Sequence, residues 1–332
     1  MKAVQVREFG GPDALVETAL PTPAPGPGEV LVKLAYAGVN YIDVYMRNGS
    51  YKRSHTYTTP LPMTLGMEGT GIVATAGPGA GKFKPGDRVA YLLCRGAYAE
   101  YAVVPETKVV HIPDGVTLET ATAVLFQGAT AHYLAHSAFT IRPGHACLIH
   151  AGAGGVGQIL IQLAKRCGAR VIATVGSTEK AALAAARGAD ATILYRETDF
   201  RDEVMRLTAG QGVDVVYDSV GRDTLPRSLR ALKRRGTCIS FGASSGQPAP
   251  IELLDLAEAG SVFVTRPHLA DYMASPDEIA WRVGDLFKAL ADGSLKVAIE
   301  RTMPLSGARQ AHELLEARGT RGKLLLQMPS AA

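Results

Sequence analysis

Residues 146–175 constrain the chain more than any other stretch. A short apolar run, ACLIHA, passes directly into GAGGVG, and the glycines open an apolar-periodic segment, VGQILIQLAKRCG, before a β-branched run, RVIATV. Strand, glycine turn, helix and second strand in that order make a βαβ unit, and Gly152, Gly154 and Gly157 give it the G-x-G-x-x-G spacing. Each glycine has its own reason: a tight turn at Gly152, close approach of backbone to a pyrophosphate at Gly154, close packing of helix on strand at Gly157. With Ala153, Gly155 and Val156 they present bare N–H groups at a helix N-terminus, a site for phosphates. The bland alternative is a glycine-rich turn in an α/β protein that binds nothing.

The end of RVIATV bears on which dinucleotide fits. An NAD site places Asp or Glu there, where a carboxylate accepts from the ribose hydroxyls. This chain has Gly176 and Ser177 instead, with Lys180 one helical turn on. Without a carboxylate there is no repulsion against a 2′-phosphate, Ser177 can donate to it and Lys180 adds positive charge, so NADPH is the expected cofactor. Tyr195 and Arg196, ending the next strand, either close over the adenosine side or merely cap the strand.

From about Thr120 apolar-periodic helices alternate with short β-branched runs: ACLIHA, RVIATV, ATILY, VDVVYDSV, TCISFGA and SVFVTR. Six strands with helical connections predict a doubly wound parallel sheet of Rossmann type over residues 126–266. Before it the chain reads as short strands punctuated by Gly and Pro, a β-rich, barrel-like domain over 1–125, with Pro21, Pro23, Pro25 and Pro27 in a surface connection. The tail, 267–332, has helices near Ile279–Leu290 and Ser306–Arg318 and a last strand, GKLLLQM, which do not extend the βαβ series and are expected to return to the first domain. A chain of 332 residues exceeds the size at which one core keeps growing, which agrees with two domains.

Composition excludes several classes. With 47% hydrophobic and 20% charged residues the chain is neither disordered nor fibrous. The net charge of +4 is spread out, and its densest run, Lys233-Arg234-Arg235, is read as a solvated face at a helix end, with a nucleic-acid patch as the alternative. No apolar stretch reaches the roughly 20 residues of a membrane helix, and MKAVQVREFG lacks the features of an export signal, so the expected compartment is the cytoplasm. Cys94, Cys147, Cys167 and Cys238 form no CxxC pair and read as small core residues. His132 and His136 have the i, i+4 spacing of a metal pair, but no neighbouring Glu or Cys-rich segment supports one, and helix packing is the simpler reading.

The segments AGVNYID, GMEGTGIV, FKPGDRV, GAYAEY, HAGAGGVG, VYDSVGRDT, RRGTCISFGASSG, VTRP and the closing RGK resemble the medium-chain dehydrogenase/reductase superfamily, in its quinone oxidoreductase and zeta-crystallin branch. The resemblance covers essentially the whole length. It implies a discontinuous GroES-like catalytic domain wrapped around the Rossmann domain, and a homodimer; the apolar SVFVT at the expected sheet edge, otherwise unpaired, agrees with the latter. Zinc alcohol dehydrogenases of the superfamily have Cys where this chain has Asn40 and His where it has Met67; Glu68 remains alone, and the four-cysteine structural lobe is absent, so no metal is expected. Interconverting an alcohol and a simple carbonyl builds an alkoxide that calls for a Lewis acid or a strong proton donor, and the sequence shows neither a metal set nor an obvious Ser-Tyr-Lys type acid. A hydride added to a conjugated acceptor leaves dispersed charge that hydrogen bonds can receive.

By resemblance, Asn40 and Tyr45 lie beside nicotinamide and acceptor, Thr130 helps seat the cofactor, Phe241 and Gly242, followed by Ser244, lie near the nicotinamide, and Arg318 reaches the cofactor phosphates. The alternative for Asn40 and Tyr45 is turn-capping and packing. Ala243 stands where the compared family member has an amide, which removes one hydrogen bond near the nicotinamide. Tyr51, Met63 and Tyr272 are candidates for walls of a flat acceptor pocket or for core, and YKRSHTYTTP (51–60) for a mobile loop at its mouth. Three functions stay open: reduction of quinones with NADPH, reduction of α,β-unsaturated aldehydes or ketones, and a non-catalytic NADPH-binding role, structural or RNA-binding, of the kind some zeta-crystallin relatives imply.

Overall fold

The alternating N-terminal run MKAVQV forms β1 (Lys2–Val6) in a computed structural model that describes residues 1–329 of the chain. β1 pairs antiparallel with β2 (Leu15–Ala19), and the proline-rich connection then leads into β3 (Glu29–Val39). A short helix, α1 (Tyr41–Arg47), follows β3 directly; the strand-dominated sequence reading did not contain it. β4 (Met63–Thr64) returns to β1 and closes a three-stranded sheet. Next come β5 (Glu68–Ala76), β6 (Arg88–Leu92), β7 (Tyr101–Pro105) and β8 (Val109–His111), and then α2 (Leu118–Tyr133), which loosens into a π turn at Leu134–Ala138.

The βαβ series begins at β9 (Ala146–Ile149) and runs through α3 (Gly155–Arg166), β10 (Arg170–Val175), α4 (Thr178–Ala186), β11 (Ala191–Leu194), α5 (Phe200–Leu207) and β12 (Val213–Asp218). It ends with α6 (Leu225–Arg230), β13 (Leu232–Ser240), α7 (Leu253–Glu258) and β14 (Phe263–Thr265). The six strands are all parallel and lie in the order β11-β10-β9-β12-β13-β14, the 3-2-1-4-5-6 arrangement of a doubly wound sheet. The order reverses beside β9, and the crevice at the carboxyl ends of its strands is where such sheets take ligands. Leu148, Ile172, Val216, Phe200, Val204 and Leu229 are buried on one face, each contributing roughly 1.5–3 kcal/mol by leaving water.

After the sheet the chain forms α8 (Pro276–Ala291), β15 (Ile299–Pro304), α9 (Ala308–Glu316) and β16 (Lys323–Gln327). β16 pairs antiparallel with residues 36–39 of β3, while β7 takes residues 29–33 of the same strand, so one long strand anchors both the early chain and its return. The resulting sheet runs β15-β16-β3-β5-β6-β8. Compact contacts divide the molecule into a catalytic unit, Met1–Ala129 with the chain from Met273 onward, and a nucleotide unit, Thr130–Tyr272.

Three readings need correction. IERTMP is a strand, β15, hidden from periodicity because its residues are half-exposed and, among the described residues, it pairs only with β16. The run Lys233-Arg234-Arg235 lies at the start of β13 rather than at a helix end, where the register with β12 shifts and Arg235 adopts φ 60°; Lys233 pairs with Asp214. Cys147 and Cys238 are buried, but Cys94 and Cys167 are only partly so, and all four are free thiols.

Candidate active site

The glycine turn of the nucleotide unit is built as the spacing requires, with one exchange of roles. The left-handed residue of the turn is Ala151, at φ 52°, not Gly152. Gly152 is needed for packing instead: a Cβ there would stand 2.7 Å from Ala173 Cβ on β10. At Gly157 a Cβ would run into the Ala151 carbonyl and sit 2.9 Å from Gly152 Cα, so only glycine lets α3 start this close to the turn. Gly154 is the N-cap of α3, and a Cβ there would meet nothing within 4 Å except the Ala151 carbonyl, so its outer side accepts a close ligand. α3 offers the unpaired N–H groups of its first turn, from Gly155, Val156 and Gly157, with Ala153 buried beneath them.

Gly176 and Ser177 follow β10. Ser177 caps α4, its Oγ accepting from Lys180 N at 3.4 Å, which leaves the hydroxyl proton to donate outward. Tyr195 is half-exposed after β11, and its hydroxyl lies 2.9 Å from where a Gly176 Cβ would be. The Ser177 hydroxyl and, beside Gly176, the Tyr195 phenol stand at the end of β10 where an NAD site has a carboxylate, with Lys180 one helical turn on in the chain.

Phe241, Gly242, Ala243 and Ser244 continue β13 and are pinned to the turn after β12. Phe241 N and Ser244 N donate to Asp218 O (2.9 Å) and Ser219 O (3.2 Å), and Gly242 passes so close that a Cβ would overlap Ser219 O. Asp218 organises that turn: wholly buried, its carboxylate accepts from Val220 N, Gly221 N, Thr224 Oγ1 and Ser228 Oγ at 2.8–2.9 Å. His150, at the end of β9, bridges Ser228 Oγ and Thr174 Oγ1, both at 2.9 Å, and burial holds its pKa below the ordinary value. The sequence reading gave Asp218 and His150 no role; their signal was only their place inside VYDSVGRDT and HAGAGGVG. Thr130 is buried on α2 at the edge of this unit, and Tyr272 stacks on Tyr133 at 4.5 Å.

In the catalytic unit Asn40 follows β3 as the N-cap of α1 and Glu68 begins β5, while Lys323 begins β16. The three side chains converge with at most 5% exposure each. Lys323 Nζ donates to Glu68 Oε1 and, at 2.7 Å, to Asn40 Oδ1; Asn40 Nδ2 donates to Glu68 Oε1 at 2.8 Å; Phe126 N donates to Glu68 Oε2 at 2.7 Å. Gly38 is glycine for this cluster, since a Cβ there would overlap the Glu68 carboxylate and come within 2.7 Å of Lys323 Cε. Asn40, Met67 and Glu68 do not fit a zinc ion: they offer one carboxylate, already engaged by an ammonium and a backbone N–H. Lys323 was visible in the sequence only as the last residue of RGK.

Tyr45, on α1, packs edge-on against Tyr51 at 5.5 Å, and Tyr51 stacks on Tyr57 at 5.3 Å, so the first two join one aromatic row. Residues 51–60 form a loop without helix or strand, mostly exposed, whose first turns are fixed by Tyr51 N bonding to Tyr45 O and Ser54 N to Tyr51 O, with Tyr57 buried. Met63 is buried on β4 opposite Val6 in the small sheet. Arg318 is exposed just beyond α9 with φ 57°.

Family models match both parts: the alcohol dehydrogenase GroES-like domain over residues 26–114, and one described as zinc-binding dehydrogenase over 155–276. A quinone oxidoreductase of Pseudomonas aeruginosa is 40% identical over 98% of this chain and 99% of its own length. The chain belongs to the medium-chain dehydrogenase/reductase superfamily, in its quinone oxidoreductase branch. Within that branch, the structure of Escherichia coli quinone oxidoreductase complexed with NADPH superposes with a TM-score of 0.95 at 39% identity, covering 98% of this chain and 100% of that one. A 2-haloacrylate reductase of a Burkholderia species is 38% identical over 99% of both chains. The family match fits the Rossmann sheet and GroES-like unit, whereas the zinc in one model's description finds no ligand set at Asn40, Met67 and Glu68.

Proposed function

We propose that this chain is an NADPH-dependent reductase that delivers hydride to a quinone without zinc. The observation that carries the reading is the buried contact of Lys323 with Glu68 and Asn40. It commits the remaining family carboxylate to an internal cation and leaves an amide, not a metal, to meet the acceptor. Without a Lewis acid, a conjugated acceptor is favoured, because charge after hydride addition spreads over its π system.

NADPH is supported by Ser177, Lys180 and Tyr195 at the end of β10 and by the NADPH complex of the E. coli relative. When bound, the dinucleotide supplies the hydride. The first-turn N–H groups of α3, from Gly155, Val156 and Gly157, would hold its pyrophosphate against the Gly152–Gly154 turn, Phe241, Gly242 and Ser244 would form an edge toward the nicotinamide, and Asn40 and Tyr45 would meet the acceptor oxygen, with Tyr51 as an aromatic wall. The 2-haloacrylate reductase supports a second reading, in which the acceptor is an α,β-unsaturated carbonyl compound. The non-catalytic reading rests on the exposed run Lys233-Arg234-Arg235, of which Lys233 also pairs with Asp214. Four free thiols fit a reducing compartment such as the cytoplasm.

Steady-state assays with small quinones, 2-haloacrylate and simple enones, each with NADPH and with NADH, test the assignment. Turnover of quinones with NADPH is expected; enone turnover without quinone turnover selects the second reading, and activity confined to NADH overturns the cofactor assignment.

A further inference from the structure

The amide of Asn40 is orientated by its neighbours. An ammonium can only donate, so the atom facing Lys323 Nζ at 2.7 Å is the amide oxygen; a carboxylate can only accept, so the atom facing Glu68 Oε1 at 2.8 Å is the amide nitrogen. Lys323 Nζ and Asn40 Nδ2 share that one carboxylate oxygen, which closes a ring. The N–H used is therefore the one on the same side as the amide oxygen. The other amide N–H points away from both partners, and no hydrogen bond to it is made among the described residues. Gly38 leaves room for the ring, and Phe126 N fixes the second carboxylate oxygen so that Glu68 cannot turn.

We propose that Lys323 and Glu68 are positioning residues that lock the Asn40 side chain as a hydrogen-bond donor, so that the acceptor oxygen meets its second N–H and never its carbonyl. This rests on the reading of Asn40 as the group that meets the acceptor. An unlocked amide would flip, and the flipped form sets a carbonyl against the oxygen on which charge develops. A donor aimed at that oxygen before the reaction carries no reorganisation cost, whereas one that must first rotate does.

A double-mutant cycle on the full-length enzyme tests this, reading kcat, acceptor KM and NADPH Kd separately. Asn40→Ala lowers kcat about tenfold or more, with NADPH Kd nearly unchanged. Lys323→Met lowers kcat comparably in the wild-type background and has no further effect in the Asn40→Ala background, because it acts through the amide. If Lys323→Met does not fold, the charge-neutral pair Glu68→Gln with Lys323→Met runs the same cycle. An Asn40→Ala enzyme with unchanged kcat overturns the reading of Asn40 and this inference with it. A normal Asn40→Ala loss, with Lys323→Met losses that multiply it, overturns this inference alone.

Discussion

Ser177 puts the cofactor assignment on a single side chain. Its Oγ is held as the cap of α4 by Lys180 N, so an aspartate there keeps the cap while adding charge. Ser177→Asp is therefore expected to leave the fold intact and to weaken NADPH relative to NADH by about tenfold or more, a difference of about 1.4 kcal/mol. Fluorescence titration with both nucleotides measures it, and an unchanged preference removes Ser177 from the phosphate site. At this scale the sequence was informative wherever a residue type has a backbone reason, as at Gly154 and Gly157. It was uninformative where the reason is a partner far along the chain: nothing near Lys323 signals that it meets Asn40, 283 residues away. Ala151 shows a subtler failure, because a turn expected of glycine is made by a residue that tolerates φ 52° at a cost of roughly 1–2 kcal/mol.

At the scale of elements, the alternation of apolar helices with β-branched runs disclosed the parallel sheet, because strands buried on both faces read as continuous apolar runs. α1 and β15 were not legible, since a helix of seven residues is too short for a periodic stripe and β15 has only one paired edge. What secures α1 is a buried polar row. Arg47 donates to His312 Nδ1 at 3.0 Å and to Glu316 on α9, which makes Nδ1 an acceptor and leaves Nε2–H to face Tyr98 Oη at 3.1 Å; Tyr98 in turn donates to Asp43 Oδ2. Burial pushes the Asp43 carboxyl up to about 7, and burial with the Arg47 charge holds His312 down at about 3. The signs oppose. Between pH 4 and 7 folded Asp43 keeps a proton that the unfolded chain has lost, so its contribution falls as pH rises. Between pH 3 and 6.5 folded His312 lacks a proton that the unfolded chain binds, so its contribution rises with pH. Over the shared window the two offset each other. Asp43→Asn removes one side of the balance: relative to wild type the variant gains stability steadily from pH 4 to 7 and then levels off, as urea unfolding at a series of pH values would record. A stability difference that does not change with pH contradicts the assignment.

The whole molecule still carries an unsatisfied edge. β14 is three residues long, paired on one side with β13 and on the other with nothing among the described residues. Its Phe263 is 62% exposed, and α7, which leads into it, presents Leu253 and Leu254 at 83% and 67%. Proteins that remain alone blunt such an edge with charge, proline or a covering segment; here the edge is apolar. A second copy of the chain, related by a two-fold axis, would offer the same strand in the antiparallel sense, so one interface satisfies both edges and buries both sets of apolar side chains. Phe263→Lys places a charge at the centre of that contact while staying on a surface position that the isolated unit tolerates. The expected outcome is a dimer for wild type and a monomer for the variant by light scattering, with the variant's NADPH affinity preserved because the residues at the carboxyl ends of β9 and β10 are built within one chain. A wild-type monomer at micromolar concentration would show that the apolar edge serves something other than self-association.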